Sequence, residues 1–191
     1  MPQPDHIVRI ALPEAADYPE DIATYFAKCD EKLGMRPNVL VAYTARPEKF
    51  RTFTRFYNQL MLSEESGLSK LEREMIAVVV SAANRCYYCL VAHGQAVRQL
   101  SGDPQLGEMM VMNYRIAELS SRQRAMLDFA WKLTETPHDI GEADRQTLRD
   151  AGFSDADIFD ITDVTGFFNY TNRMAHGLDM IPNPEYHGMD R

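Results

Sequence analysis

The segment Ser69-Lys70-Leu71-Glu72-Arg73-Glu74-Met75-Ile76-Ala77-Val78-Val79-Val80-Ser81-Ala82-Ala83 decides the fold class. Its opening Ser-x-x-Glu is a capping box, in which the serine and glutamate side chains satisfy backbone N–H groups that a first helical turn leaves unpaired. Val78-Val79-Val80 alone fits a buried strand as well as a buried helix, because periodicity cannot separate short β-branched runs. The flanking Glu, Met and Ala residues and the length of the segment decide for helix.

Working outward, the same kinds of signal recur. Pro19, Glu20 and Asp21 open a helix with Ile22, Tyr25, Phe26, Cys29 and Leu33 at helical spacing, and Gly34 stops it. Cys29 falls on that apolar stripe and reads as a small core residue. A short helix is expected over Asn38–Ala45, and another after Pro47 buries Phe50, Phe53, Phe56, Tyr57, Leu60 and Met61. Further helices are expected from Cys86 to about Leu100, from Asp103-Pro104, from Ser120 or Ser121, and from Gly141 to Ala151, where Gly152 ends the last. Ser154 caps a long final helix carrying Ile158, Phe159, Ile161, Val164, Phe167 and Phe168. No alternating run of strand length stands out, so the expected fold is all-α.

A weak internal repeat accompanies this pattern. Leu68-Ser69, Arg73 and Met75-Ile76 align at an offset of 51 with Leu119-Ser120, Arg124 and Met126-Leu127. The offset pairs Glu74 with Ala125, Cys86 with Pro137, Cys89 with Ile140 and His93 with Asp144, so a second copy would keep the packing and none of the chemistry; chance similarity is the competing explanation. No Gly-, Pro- or Ser-rich linker divides residues 1–191, which read as a single domain with a redox core at about 47–115.

The chain has 191 residues, 45% of them hydrophobic, with 28 acidic against 20 basic residues and a formal net charge of -8. The apolar content excludes disorder, and the acidic balance argues against nucleic acid and anionic lipid as partners. No apolar run is long enough for a transmembrane helix, and the Met1-Pro2-Gln3 start lacks the features of a signal peptide, so a cytoplasmic location is expected. Three cysteines in such a chain do not make a disulfide scaffold.

Chemistry concentrates in Glu74, eleven residues, Cys86, two residues, Cys89, three residues and His93. If Cys86 opens a helix, Cys86, Cys89 and His93 share one face. The positive end of the helix dipole favours a thiolate there, and CxxC thiols can fall from about 8.5 to roughly 3.5–7.5. His93 is placed to exchange a proton with the thiols, and Glu74 to orient it if the two helices run antiparallel. Two alternatives stay open at this point: packing alone, and a zinc site in which Glu74 completes two thiolates and an imidazole.

These residues resemble the redox motif of the alkylhydroperoxidase D and carboxymuconolactone decarboxylase superfamily, in its peroxidase-related branch. Leu33-Gly34 with Pro37-Asn38, Arg46-Pro47-Glu48, Gly67-Leu68-Ser69, Ala151-Gly152-Phe153-Ser154 and Phe168-Asn169-Tyr170-Thr171-Asn172-Arg173-Met174-Ala175 are similar to that branch too, so the likeness spans most of the chain. It implies an all-helical protein assembled as a trimer or hexamer, with the thiols near a subunit interface. It also implies a thiol-dependent hydroperoxidase with an antioxidant role, in which Cys89 attacks the peroxide, Cys86 resolves it as a disulfide, and Glu74 and His93 relay protons. No cofactor is implied. The implied partners are a hydroperoxide substrate and a dithiol reductant such as a lipoyl-bearing protein, with disulfide reductase activity as a related capacity. One position departs from the pattern: Tyr88 stands where the alkylhydroperoxidase D proteins carry a His. A phenol near pKa 10 is a poor shuttle, so Tyr88 reads as an accessory hydrogen-bond donor with a shorter relay, or as interface packing beside Tyr87.

Two other function classes compete. A redox-sensing or scaffold oligomer would form the same disulfide with little turnover, and a small-molecule lyase would need a polar pocket independent of Cys89. His176, near the Gly177 stop, reads as a cap or as a lining residue of the thiol cleft, and the tail with His187 as a surface segment or an arm over a neighbouring subunit.

Overall fold

The capping box at Ser69 forms as its sequence implies. The Ser69 hydroxyl accepts the Glu72 N–H at 3.1 Å, and the Glu72 carboxylate accepts the Ser69 N–H at 2.8 Å. The computed structural model describes residues 3–191, so Met1 and Pro2 of the start read above lie outside it. Among the described residues there are nine α-helices and no strand: α1 Glu20–Leu33, α2 Asn38–Tyr43, α3 Pro47–Leu62, α4 Lys70–Ala83, α5 Tyr87–Ser101, α6 Pro104–Asn113, α7 Ser121–Glu135, α8 Glu142–Asp150 and α9 Asp155–Gly177.

Helix α4 is the centre of the packing. Met75 to Val80 are all fully buried, and α5, α6, α7 and α9 pack around it. The valine triplet is helical because every face of α4 has a neighbour, which removes any need for amphipathic spacing. Gly34 takes φ 69° to end α1, the left-handed conformation that an L side chain resists. Where α5 crosses α6, a Cβ at Gly94 would approach Val111 to 2.9 Å, so the two helices meet on a bare backbone.

The repeat extends to atomic detail. Ser120 and Gln123 form a second capping box at the start of α7, 51 positions after the first. Arg73 donates to the carbonyls of Leu60 and Ser63, and its counterpart Arg124 donates to those of Tyr114, Arg115 and Ala117. Each guanidinium thus ties its helix to the segment just before it.

One expectation needs correction. Phe56 is 40% exposed rather than core, because it lies at the edge of the α3 stripe, where its ring meets Phe167 edge-on at 5.1 Å. Phe159 is 70% exposed, on the side of α9 opposite Ile158 and Ile161. The C-terminal tail covers its own chain: Arg98 of α5 donates to the carbonyls of Tyr186 and Met189, and Gln95 to Asp190. The N-terminal segment joins it through backbone hydrogen bonds from Ile181 to Ile7 and from Arg9 to Leu178.

Two apolar clusters result. The larger fills the space around α4; the smaller holds Cys86, Cys89, Tyr88 and Ala92 of the α5 region under Val8, Met180 and Tyr186 from the two terminal segments.

Candidate active site

The link Asn84-Arg85-Cys86 reverses the chain so that α5 returns antiparallel along α4. Arg85 makes the turn in the left-handed region, at φ 54°, and the Cys86 N–H reaches back to the Ser81 carbonyl at 2.9 Å. Cys86 is the N-cap of α5, with Cys89 in the first turn and His93 one turn further.

This hairpin brings Glu74 and His93 together. The His93 Nδ1 lies 2.6 Å from the Glu74 Oε2, a charge-assisted contact between two nearly buried side chains. With Nδ1 held by the carboxylate, Nε2 of the neutral imidazole is the nitrogen that can take a proton. The Phe168 ring stands edge-on to the imidazole at 4.7 Å and confines its rotation.

Cys86 and Cys89 are free thiols, 1% and 3% exposed. They share their proton unequally. The Cys89 thiol hydrogen-bonds to the Cys86 sulfur and draws its pKa down to about 7 against the opposing effect of burial; the Cys89 N–H, His176 and His93 add to the lowering. Cys89 is pushed the other way by the same hydrogen bond, by burial and by the Cys86 charge, with Asn172 and Ser81 opposing. The resting charge therefore favours Cys86, although the resemblance assigns peroxide attack to Cys89. Such a pair titrates as one unit, and either sulfur carries the charge once a proton crosses between them.

Sequence reading missed the polar residues behind Cys89. Asn172 of α9 is fully buried; its amide accepts from Asn84 at 2.9 Å and donates to the Ser81 hydroxyl at 3.1 Å, and Ser81 donates to the Ala77 carbonyl at 2.6 Å. An Asn in a long apolar helix signals only that a buried partner exists, and its partners on α4 and the turn are about 90 positions away. His176 also joins the turn: its Nε2 lies 3.1 Å from the Asn84 carbonyl, so it lines the thiol neighbourhood rather than only capping α9.

The remaining sequence candidates have plain positions. The Tyr88 hydroxyl accepts the Val39 N–H at 2.9 Å and pins the first turn of α5 to α2, and burial raises its pKa well above the usual phenol value. Tyr87 is half exposed, its hydroxyl 3.2 Å from Gln3 and 3.3 Å from His187. Cys29 is a core thiol whose pKa is raised by burial and then by Asp30. For zinc, the donors do not converge: among the described residues no three His, Cys, Asp or Glu side chains surround a common point, and Glu74 is committed to His93.

A family model for the carboxymuconolactone decarboxylase family matches residues 47–130. Among curated proteins, nothing matches. The crystal structure of an uncharacterized peroxidase-related protein from Silicibacter sp. TM1040 is 61% identical over 100% of both chains, with a TM-score of 0.95. That of an alkylhydroperoxidase AhpD core protein from Ralstonia eutropha JMP134, also peroxidase-related, is 43% identical over 98% of both chains, with a TM-score of 0.94. The debrominase Bmp8 has the same fold at 15% identity, with a TM-score of 0.79 over 94% of this chain and 95% of its own. The chain accordingly belongs to the alkylhydroperoxidase D and carboxymuconolactone decarboxylase superfamily, in its peroxidase-related branch.

Proposed function

We propose that the protein is a cofactor-free thiol peroxidase. The observation that carries this reading is the pairing of Glu74 with His93 at 2.6 Å on the same hairpin as two unbridged thiols, one of which ionises at about 7. In the resting enzyme the anion lies on Cys86, and transfer of the Cys89 proton to it leaves Cys89 as the thiolate, where the Asn172 amide supports the charge.

The Cys89 thiolate attacks the terminal oxygen of a hydroperoxide. The O–O bond breaks, the sulfur is oxidised to a sulfenic acid, and the alkoxide leaves as an alcohol by taking from His93 the proton that His93 accepted when the thiol pair ionised. His93, now neutral, takes the Cys86 proton, and the Cys86 thiolate attacks the Cys89 sulfur; the S–O bond breaks, the disulfide forms, and hydroxide takes that proton from His93 and departs as water. The balance is one dithiol and one hydroperoxide to one disulfide, one alcohol and one water. Thiol–disulfide exchange with an external dithiol, a lipoyl-bearing protein in this proposal, restores the pair. Glu74 keeps His93 oriented throughout. Homo-oligomers, as trimers or hexamers, and a cytoplasmic location belong to the same proposal; on the last point, no helix among the described residues is long and apolar enough to cross a membrane.

The test is hydroperoxide consumption with dihydrolipoamide as reductant, run beside Cys86→Ser and Cys89→Ser. Turnover by the parent and loss in both variants supports the reading; equal consumption by Cys89→Ser sinks it.

A redox-sensing oligomer is the second reading, favoured by the near-complete burial of both thiols under the terminal segments. It expects slow disulfide formation, a shift in size-exclusion volume on oxidation, and no sustained turnover.

A further inference from the structure

Where the start of α5 meets α6 and α7 lies a cavity of about 350 Å³, bounded by the end of α4, α5, α6, the Tyr114–Ile116 turn and α7. Its apolar wall is Met110 of the larger core cluster with Leu90, Val111 and Trp131 packed against that cluster, whereas Cys86 and Cys89 lie in the smaller one. The volume lies in the range of sites for small organic ligands.

Arg85 and Arg115 also line this cavity. Many arginines of this acidic chain have partners: Arg36, Arg51, Arg122 and Arg149 hold carboxylates, while Arg73, Arg98 and Arg124 hold backbone carbonyls. Neither Arg85 nor Arg115 has an ion pair or side-chain hydrogen bond among the described residues. Arg115 is nonetheless held in place, its guanidinium 4.7 Å from the Tyr114 ring and 4.6 Å from the Trp131 ring. Stacking on aromatic faces leaves the N–H edge of a guanidinium free to bind an anion. Arg85 reaches the same cavity from a left-handed backbone position, which a non-glycine residue occupies at a cost in free energy.

We propose that this cavity binds a small organic carboxylate with an apolar tail. The tail occupies the wall of Leu90, Met110, Val111 and Trp131, and the carboxylate is received by Arg85 and Arg115. The two guanidinium groups add charge-assisted hydrogen bonds that a neutral ligand cannot accept as strongly, and a cationic ligand would be repelled.

Trp131 is the single tryptophan of the chain and lines the cavity, so its emission reports occupancy directly. The full-length reduced protein is titrated with octanoate, 1-octanol and octylammonium. Octanoate is expected to give a saturable change in Trp131 emission, with 1-octanol weaker by about tenfold or more and octylammonium silent. Arg85→Gln and Arg115→Gln each weaken octanoate by about tenfold. Both side chains are exposed, and an unchanged melting temperature confirms that the fold survives either substitution. Equal midpoints for octanoate and octanol, no saturable change, or indifference to both substitutions overturns the proposal. An emission change on concentrating the protein without ligand also overturns it, since it gives the cavity to a second copy of the chain. The outcome is independent of the thiol chemistry: loss of peroxidase activity leaves octanoate binding in place, and loss of octanoate binding leaves the thiol proposal standing.

Discussion

Helices α4 and α7 start alike and serve different ends. Each opens on a serine capping box, each sends an arginine back to carbonyls of the preceding segment, and the two pack against one another. Beyond the first turn they diverge. After α4 the chain turns tightly through Arg85 and returns as a full helix bearing Cys86, Cys89 and His93; after α7 it passes through a short turn at Pro137–Asp139 into the shorter, more exposed α8. At the position matching His93 stands Asp144, bound to Lys132 at 2.7 Å, and Lys132 itself matches Ser81. The same two positions thus hold an accessible ion pair in one hairpin and, in the other, His93 against Glu74 and Ser81 against Asn172. Caps and arginine ties are the requirements of the scaffold, while the thiols, the carboxylate and the imidazole are additions that the scaffold tolerates.

The sharpest way to break this comparison is to give the α4–α5 hairpin the chemical silence of its counterpart. Cys89→Ser is expected to reduce dithiol-dependent peroxide consumption to the uncatalysed background, and Cys86→Ser to stop the cycle after one oxidation, with sulfenic acid accumulating in place of disulfide. A dimedone-type probe with mass detection distinguishes the two. Indistinguishable products from the two variants would falsify the division of roles.

The next effect falls on the proton relay. His93→Ala should lower turnover by on the order of 10²-fold, the usual weight of a general acid–base group. Glu74→Gln should cost less, because the amide can still accept from Nδ1 but no longer stabilises the protonated ring. Steady-state rates at fixed pH, beside melting curves that confirm folding, provide the check. An ion pair at this depth that altered only stability would make Glu74 and His93 the structural equal of Lys132 and Asp144.

This is also where sequence and structure part company. Glu74 and His93 were legible because helical spacing and an antiparallel return fix their meeting point, and the capping boxes were legible because they are local. Asn172, Ser81 and Asn84 were not, since a lone buried Asn names no partner and the three meet only when α9 packs on the end of α4. Phe56 misled for the opposite reason: its type suits a core, and only the width of the buried face decides which apolar residue lies outside it.

A smaller effect sharpens the electrostatic side. Ultraviolet thiolate absorbance of the parent should titrate with a first midpoint near 7, and alkylation rates should rise through the same range. The sign follows from the lowered pKa: below the midpoint both sulfurs are protonated and unreactive, above it one is an anion. Cys89→Ala removes the main cause of the lowering, so the Cys86 midpoint should rise by about one unit or more toward the ordinary thiol value near 8.5. If instead Cys86→Ala left Cys89 with a midpoint near 7, the resting charge would belong to Cys89.

The smallest effect concerns the boxes that the two helices share. Ser120→Ala and Ser69→Ala should each destabilise the protein by about 1 kcal/mol, the typical worth of a serine N-cap. Their consequences for the site should nevertheless differ. The first turn of α4 lies immediately before Glu74, and Arg73 beside it anchors the helix to Leu60 and Ser63, so fraying at Ser69 loosens the carboxylate that orients His93. Fraying at Ser120 loosens a helix whose start carries no group of the site. Denaturant midpoints should therefore fall together in the two variants, while turnover per folded molecule falls only in Ser69→Ala. Equal loss of turnover in both would mean that α7 is not merely a packing copy but takes part in holding the relay.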